Sequence, residues 1–336
     1  MLWASIAGRY LNFLKCEFPV SKTGYFFHSD CSKHEMGAGH PECPERLAAI
    51  EKRLHGQGVA DQLDWREAPL APIADLELAH GRMHIASLRG LTDGLRDEVQ
   101  AGGPPHAQID PDTCINVHTW DAALRSAGAA IAATDAVMAG ELDNAFCAVR
   151  PPGHHACRDK AMGFCFFNNV AVAAHYALDR HGLKRVAIID FDVHHGNGTE
   201  DIVSGDERIL MVSFFQHPFY PYGGAASTAT NLLNVPVPAY TKGDAIRELV
   251  TSVWLPRLED FKPELILISA GFDAHREDDL GQMGLVEDDY AWMTRQLKEL
   301  ASRHAKGRIV SCLEGGYNLD ALARSVEAHV RVLAGI

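Results

Sequence analysis

Short apolar segments alternate along this chain with longer segments of helical character, and this alternation constrains the fold more than any other feature. The apolar segments are rich in Val, Ile and Phe, and most are too short for helices. We predict strands at residues 24–29, 145–150, 186–193, 209–215, 265–271 and 308–314. Helical spacing or alanine-rich composition predicts helices at residues 119–142, 168–182, 242–261 and 287–305.

Strands that are apolar on both faces and separated by helices indicate a mostly parallel sheet covered on both sides. We therefore predict an α/β fold, a three-layer αβα sandwich. The 336 residues and 47% hydrophobic content suffice for a sizeable core. We predict a single domain at residues 24–336, with two domains as the alternative. Residues 1–23 form an N-terminal extension, read either as a transit-type segment or as an extension of the reading frame.

The overall charge and composition exclude several kinds of partner. A formal net charge of −13 without a basic stripe argues against nucleic acid. No apolar run is long enough to cross a bilayer, so we expect no membrane partner. Eight scattered cysteines without a CxxC pair, and no convincing secretory signal, favour reduced thiols and a cytoplasmic location. Homo-oligomerisation is left open.

Polar residues follow four of the predicted strands at the points where the apolar runs stop. The segments are RPPGHHA (150–156), DFDVHHGNG (190–198), GFDAH (271–275) and EGGYN (314–318). Ligands of open α/β sheets bind beyond the carboxyl ends of the strands. Four strand ends with His, Asp and Tyr beside glycine-rich turns therefore predict one functional site.

Two acids and a histidine have the spacing of a metal site. Residues two apart on a strand point to one face, so Asp192 and His194 are able to bind one cation. Asp273 supplies a third ligand from a neighbouring strand end and leaves a position open, as in catalytic zinc sites. This donor set favours one Zn²⁺, with Fe²⁺, Co²⁺ and Mn²⁺ as alternatives. The structural alternative is that Asp190 and Asp192 cap helices or pair with buried arginines.

Two adjacent histidines and a tyrosine accompany the metal candidates. Beside a metal, His154 or His155 is able to move a proton between water and a leaving amine while the other holds charge. Tyr317 is placed to donate its hydroxyl to an oxyanion. An isolated histidine pair is more often structural or exposed, and a tyrosine after Gly-Gly is often a plain turn residue. The catalytic interpretation therefore depends on the whole set.

Six motifs together resemble the histone deacetylase family of the arginase/deacetylase fold. They match its class II branch and the bacterial histone deacetylase-like amidohydrolases most closely. The motifs are HPECPERL (40–47), RPPGHHA (150–156), GFCFFNNVAVAA (163–174), IIDFDVHHGNGTED (188–201), SAGFDAH (269–275) and EGGYN (314–318). The resemblance implies a zinc-dependent hydrolase that removes acetyl or related acyl groups from an amine nitrogen. Its substrate is then an acetylated protein lysine or a small acetylated amine.

The resemblance also implies a role for individual residues. It assigns zinc to Asp192, His194 and Asp273. It assigns His155 as general base and acid, His154 as electrostatic partner oriented by Asp190, and Tyr317 as the residue that polarises the scissile carbonyl. Relatives also hold a monovalent cation, usually potassium, at positions that correspond here to Asp190, Asp192, His194, Ser213 and Phe214.

Family members enclose the acyl-lysine chain in a tunnel with two aromatic walls. Phe164, preceded by Gly163, matches the first wall, and Tyr220 aligns with the second, where phenylalanine is usual. The added hydroxyl favours a substrate with a polar group, or else the alignment is off by one residue. An ordinary core role is the alternative for Phe164. Asp112 matches a rim acid that holds substrate backbone amides.

Two positions depart from related branches of the family. Asn197 stands where the class I branch has aspartate, which leaves His155 without a full negative charge to raise its pKa. Leu280 stands where polyamine-preferring relatives have a glutamate, which favours acetyl-lysine. The nearby acids at residues 277–279 leave a cationic substrate as an alternative. If the protein prefers such a substrate, this acidic loop is the element that sets specificity.

Three alternative functions are weighed. Arginase-like ureohydrolases bind two manganese ions, but Gly271 stands where their second acid is expected, so one metal is predicted. A deacylase of acetylpolyamines or other small amines is the main alternative. A catalytically inactive acyl-lysine reader or scaffold is disfavoured because every metal, histidine and tyrosine position is retained.

Overall fold

An eight-stranded, entirely parallel sheet forms the centre of the molecule in a computed structural model that describes residues 20–336. The strand order is β2-β1-β5-β10-β9-β6-β7-β8. The strands are β1 (Thr23–Phe27), β2 (Leu63–Glu67), β5 (Asn144–Cys147), β6 (Val186–Asp190), β7 (Ile209–Gln216), β8 (Leu232–Val237), β9 (Leu265–Ala270) and β10 (Ile309–Leu313). A separate antiparallel pair consists of β3 (His106–Gln108) and β4 (Cys114–Asn116). Most of the predicted N-terminal extension, residues 1–19, lies outside the described residues.

Helices connect the parallel strands. They are α1 (Glu45–Gly56), α2 (Ile73–Leu76), α3 (Arg82–Gln100), α4 (Thr119–Ala139), α5 (Asn169–Arg180), α6 (Asn197–Val203), α7 (Gly243–Leu249), α8 (Leu255–Phe261), α9 (Glu287–His304) and α10 (Leu319–Ala334). Short 3₁₀ turns occur at Ser29–Ser32 and Ala60–Gln62. Within residues 20–336, no helix combines the length and apolar character needed to cross a membrane. The predicted α/β fold with a parallel central sheet is confirmed.

The central strands form the core of the molecule. Their side chains are mostly apolar, and the few polar side chains among them are hydrogen-bonded. Every residue of β5, β6, β7, β9 and β10 is buried. Burial on both faces explains why these segments lack the alternating pattern of half-exposed strands. All six predicted strands are found in the sheet.

The sequence prediction missed the two edge strands, β2 and β8. Strand β2 contains Asp64, Arg66 and Glu67, and β8 contains Pro236. Charged residues and proline are common on edge strands because one side of such a strand has no hydrogen-bonding partner. Because these residues interrupt the apolar pattern, β2 and β8 do not appear as continuous apolar runs in the sequence.

The predicted helix at residues 242–261 is interrupted in the structure. A π-helical turn, Val250–Trp254, separates α7 from α8. The Trp254 side chain is buried and stacks on Phe214 in β7, with ring centroids 5.5 Å apart. The turn thus belongs to the packing of this helix against the sheet.

The register of the sheet aligns the residues that end the strands. Asp190, the last residue of β6, is level with Ser213 of β7 on one side and Ser269 of β9 on the other. Because all eight strands run in the same direction, the loops that follow them meet at one edge. The four polar segments predicted at strand ends leave the sheet at this carboxyl edge.

Candidate active site

The centre of the site is a cluster of Asp192, His194 and Asp273. Their candidate ligand atoms all lie within 4.8 Å of one another. His194 Nδ1 is 3.0 Å from Asp192 Oδ1 and 3.2 Å from Asp273 Oδ2. Strand β6 ends at Asp190, so Asp192 and His194 are presented by the loop after the strand rather than by the strand itself.

These three residues fit a divalent cation. Asp273 Oδ2 is buried, and apart from its 3.2 Å ionic contact with His194 Nδ1 it has no hydrogen-bond partner among the described residues, which is costly unless a ligand binds there. Two carboxylates and one imidazole are suitable donors for Zn²⁺ or another first-row metal. They are also the only group of three or more such side chains with metal-binding spacing found within residues 20–336.

Backbone groups from neighbouring loops hold the two carboxylates in place. Gly315 N donates to Asp192 Oδ2 at 2.9 Å, and Val193 N donates to Asp273 Oδ1 at 2.9 Å. At Gly271, a Cβ atom would lie 2.0 Å from Asp192 Oδ2. The backbone therefore approaches the carboxylate too closely for any side chain at Gly271, the position at which a second acid was considered.

His154 adjoins the cluster, with its Nε2 3.8 Å from Asp192 Oδ2, and is paired with an acid. Its Nδ1 is 3.0 Å from Asp190 Oδ2, and its backbone N donates to Glu314 Oε2 at 3.0 Å. Burial by itself would lower the pKa of His154, but the Asp192 and Asp190 carboxylates together raise it well above its ordinary value. The His154 side chain is therefore suited to hold a positive charge.

His155 has the opposite environment although it is the next residue. Its Nδ1 lies 2.7 Å from Asn197 Oδ1, a neutral acceptor. Burial, followed by the nearby His154 and His194, lowers the pKa of His155 well below its ordinary value. The imidazole is therefore neutral, and its Nε2 is left to accept a proton.

Tyr317 lies in the loop after β10, with its ring 6.0 Å from that of Phe164. The Arg46 guanidinium lies 5.0 Å from the centre of the Tyr317 ring, and Asp278 Oδ2 accepts from Tyr317 N at 2.6 Å. Burial and then the Asp273 carboxylate raise the pKa of Tyr317 well above its ordinary value, while Arg46 acts in the opposite direction. The phenol therefore keeps its proton and is a hydrogen-bond donor.

A cavity of about 310 Å³ leads from the surface to these groups. It brings together His155, His194 and Tyr317 with all five residues predicted to contact substrate, namely Asp112, Gly163, Phe164, Tyr220 and Leu280. Phe219, Tyr222 and Asp279 also line it, and the sequence analysis did not assign Phe219 or Tyr222 a role. A cavity lined by aromatic residues together with a few polar groups is suited to a linear apolar chain with a polar head.

Adjacent aromatic residues at 219 and 220 have different contacts. The Phe219 ring stacks on His194 with centroids 5.4 Å apart and planes 17° apart. The Tyr220 ring meets His155 edge-on at 5.2 Å. Both rings face the cavity, so the wall that was assigned to one residue is built from two.

The three acids of the loop at 277–279 have different surroundings. Glu277 is paired with Arg324 at 2.7 Å, and Asp278 is 6% exposed and bonded to the backbone N–H groups of Tyr317 and Asn318. Of the three acids, Asp279 alone lines the cavity. Two of the three acids are thus bonded within the protein, which leaves Asp279 as the one of the three that faces a substrate in the cavity.

Three buried charged residues that the motifs did not single out support the site. Arg46 donates to the backbone oxygens of Gly316 and Glu314, and it pairs with Glu42 at 3.1 Å. Glu42 is fully buried and also accepts from Arg150, which precedes the two histidines. Burial opposes ionisation, but Arg150 and Arg46 lower the pKa of Glu42 to about 2. Glu42 and Arg46 lie in the motif HPECPER and Arg150 begins the motif RPP, but neither motif predicts that the three side chains contact one another.

The residues matched to a monovalent cation site lie around the end of β6. Asp190 and Ser213 are level in the sheet, and Phe214 follows Ser213 in β7. Asp190 Oδ1 accepts from Asp192 N at 3.1 Å, and Ser213 Oγ is 3.3 Å from Asn234 Oδ1. His194 and Asp192 contribute to the metal cluster at the same time.

The fold and the site together define a class of protein: an α/β enzyme with a candidate metal centre at the carboxyl edge of a parallel sheet. Comparison with known proteins narrows this class. The Histone deacetylase domain matches residues 40–333, and the chain belongs to the histone deacetylase family. The resemblance predicted from the motifs is therefore confirmed.

Individual relatives agree with this assignment. The chain is 39% identical over 321 residues to the histone deacetylase-like amidohydrolase of Pseudomonas aeruginosa, covering 88% of this chain and 82% of that protein. It is 36% identical over 306 residues to a probable deacetylase of Archaeoglobus fulgidus, covering 89% and 82%. The crystal structure of the HDA15 HD domain superposes with a TM-score of 0.85 at 34% identity, covering 94% and 89%. The chain is thus a hydrolase of the deacetylase type that acts on amides.

Proposed function

We propose that this protein is a zinc-dependent deacetylase that removes acetyl or related acyl groups from lysine side chains. The observation that carries the proposal is the convergence of His155, His194 and Tyr317 on one aromatic cavity. Residues 24–336 act as a single catalytic domain in this proposal. The seven cysteines that are described are all free thiols, which supports a reducing, cytoplasmic location.

Asp192, His194 and Asp273 would hold one Zn²⁺, with Fe²⁺ or Co²⁺ as substitutes. When bound there, the metal supplies Lewis acidity toward the acyl carbonyl and toward water. Potassium would bind near Asp190, Asp192, His194, Ser213 and Phe214, where it would offset part of the buried negative charge. That second site is proposed from family resemblance and from the placement of these residues around the end of β6.

His155 serves as the proton carrier at Nε2. Its Nδ1 is engaged by Asn197, and its low pKa keeps it neutral before the reaction. Nε2 takes a proton from the attacking water and returns it to the departing amine. His154, held by Asp190, supplies positive charge beneath the site as negative charge develops on the acyl group.

Tyr317 donates its hydroxyl to the acyl oxygen as that oxygen gains negative charge. Its raised pKa keeps the proton on the phenol. Asp278 and Arg46 hold the backbone and the ring of Tyr317, so the donor is positioned before substrate binds. Acetate and a free amine are the products.

The cavity favours an acyl-lysine chain, with one observation supporting a second substrate class. Phe164, Tyr220 and Leu280 offer mostly apolar contacts to a tetramethylene chain. Asp112 and Asp279 also line the cavity, and their carboxylates favour a second positive charge on the substrate. Small acetylated amines such as acetylpolyamines are therefore the alternative substrate class.

The deciding experiment compares kcat/KM of the zinc-loaded protein for an acetyl-lysine peptide and for N-acetylputrescine in one buffer. A higher value for the peptide supports the lysine deacetylase, and a higher value for the amine assigns the protein to small acetylated amines. Turnover of neither substrate, with zinc bound, would refute both. In the Leu280→Glu variant, the ratio should move toward the amine because a carboxylate is added to the cavity.

Two substitutions test the assigned roles. Tyr317→Phe should lower kcat by about 10²-fold or more with metal content unchanged, because one oxyanion donor is lost. Asp192→Ala should abolish stoichiometric zinc binding, measured by elemental analysis of the purified protein. Wild-type turnover in the first variant, or wild-type zinc content in the second, would contradict the assignment.

A further inference from the structure

Asn197 has a donor side as well as an acceptor side, and two sulfur atoms contact the donor side. Its Nδ2 lies 3.4 Å from Cys157 Sγ and 3.5 Å from Met162 Sδ. Its Oδ1 faces His155 Nδ1 at 2.7 Å. The amide thus lies between the histidine on one side and the two sulfurs on the other.

Both sulfurs are restricted to the role of acceptor. A thioether such as Met162 has no proton to donate. A thiol is able to donate, but the Cys157 thiol is directed at the backbone oxygen of His155, with Sγ and O 3.7 Å apart. Its sulfur lone pairs are therefore left to accept from Asn197.

An asparagine amide has two orientations related by a half-turn, and its surroundings decide between them. If the amide turned over, Oδ1 would face two acceptor sulfurs, and the NH₂ group would face His155. The ring would then have to accept at Nδ1 and carry its proton at Nε2. In that tautomer, Nε2 is no longer able to receive a proton from water.

We propose that Met162 and Cys157 are positioning residues that fix the Asn197 amide and thereby select the His155 tautomer with a free Nε2. The proposal rests on the proposed function, in which Nε2 is the proton carrier. Neither sulfur touches substrate in this scheme. They act through Asn197, in the same way that groups bonded to a catalytic or metal-binding histidine select its tautomer.

The first test is a double-mutant cycle. Met162→Leu keeps an apolar side chain of similar volume but removes the acceptor, and we expect kcat to fall about two- to tenfold, the effect of losing one ordinary hydrogen bond. KM should stay unchanged. Cys157→Ala should act in the same direction, and the two together should act more strongly. Met293→Leu, the same exchange at a buried position of α9, is the matched control and should leave kcat unchanged.

The cycle is completed in an Asn197→Asp background. A carboxylate accepts in either orientation, so Met162→Leu should have no effect on kcat there. A purely structural role of Met162 would give the same loss in both backgrounds, and that result would overturn the proposal. An unchanged kcat of Met162→Leu in the wild-type background would do the same.

A spectroscopic measurement separates this inference from the proposed activity. Long-range ¹H–¹⁵N correlation of the histidine rings reports which nitrogen of His155 carries the proton, whether or not the protein turns over substrate. We expect the proton on Nδ1 in the wild type and an added Nε2–H population in Met162→Leu. A proton on Nε2 in the wild type would refute the inference, whereas an inactive wild type with the proton on Nδ1 would refute only the activity.

Discussion

His154 and His155 are consecutive residues with the same side chain, yet the structure gives them opposite properties. His154 is paired with Asp190, and nearby carboxylates raise its pKa well above the ordinary value. His155 is paired with the neutral Asn197, and burial with two neighbouring histidines lowers its pKa well below that value. One histidine therefore holds charge, while the other is left neutral to accept a proton.

The opposite pKa shifts show that the protonation state of each histidine depends on its own surroundings and not on the His-His sequence. Asp190 ends strand β6 and reaches His154 from the sheet, whereas Asn197 begins helix α6 and reaches His155 from the loop side. The two rings lie only 4.0 Å apart between centroids. Separate roles at this distance require separate anchoring, because a positive charge on His154 itself opposes a second charge on His155.

Removing each histidine in turn should give the largest contrast. His155→Ala should lower kcat by about 10²- to 10⁴-fold, because proton transfer by a positioned side chain contributes a factor in this range. His154→Ala, the matched variant, should lower kcat less, because it removes electrostatic support but not the proton carrier. Steady-state kinetics with an acetyl-lysine peptide measures both, and zinc content should stay at the wild-type level. A smaller loss in His155→Ala than in His154→Ala would reverse the assigned roles.

The sequence was sufficient to predict this pair and the residues around it for a topological reason. Parallel strands bring their carboxyl ends to one edge, so polar residues at four strand ends had to meet. Asp192, Asp273 and Tyr317 were placed near one another by this argument, and the structure brings them together. The inner strands were predicted separately from their continuous apolar runs, a pattern that β2 and β8 lack because their exposed positions carry polar residues or proline.

The supporting contacts were not predictable because no local pattern encodes them. Arg46 reaches the backbone of Gly316 across 270 positions of sequence. Asp278 was grouped with two neighbouring acids that keep a cationic substrate open, yet it is buried against the backbone of Tyr317. Met162 adjoins the predicted Gly163, but its contact with Asn197 depends on the path of two loops. Burial and hydrogen bonding, which only the folded structure defines, decide such roles.

Neutralising the acid beneath His154 should have the second-largest effect. Asp190→Asn keeps the shape of the side chain but removes the charge that stabilises the positive imidazole. We expect kcat to fall about 10- to 100-fold, the usual range when a buried partner of a catalytic histidine or metal ligand is replaced.

Metal content and the free energy of unfolding must be measured alongside kcat, because Asp190 also accepts from the Asp192 backbone. Tyr176→Phe is a suitable control, since it removes a hydroxyl bonded to Asp135 on the helical layer, away from the site. If Asp190→Asn retains full kcat with zinc bound, a charge on His154 has no part in catalysis.

Giving His155 an acidic partner should have the smallest effect and the most informative one. Asn197→Asp places a carboxylate where the amide oxygen is now, and this charge should raise the pKa of His155. The proposed reaction needs His155 neutral, so in this scheme activity is present above its pKa and is lost as pH falls through it. A higher pKa therefore moves the acidic limb of the kcat/KM profile to higher pH. On the plateau above the acidic limb, kcat should remain within about tenfold of the wild type, since the hydrogen bond to Nδ1 is kept. In this variant both histidines have a carboxylate partner. If the acidic limb of the kcat/KM profile stays in place, Asn197 does not determine the protonation of His155.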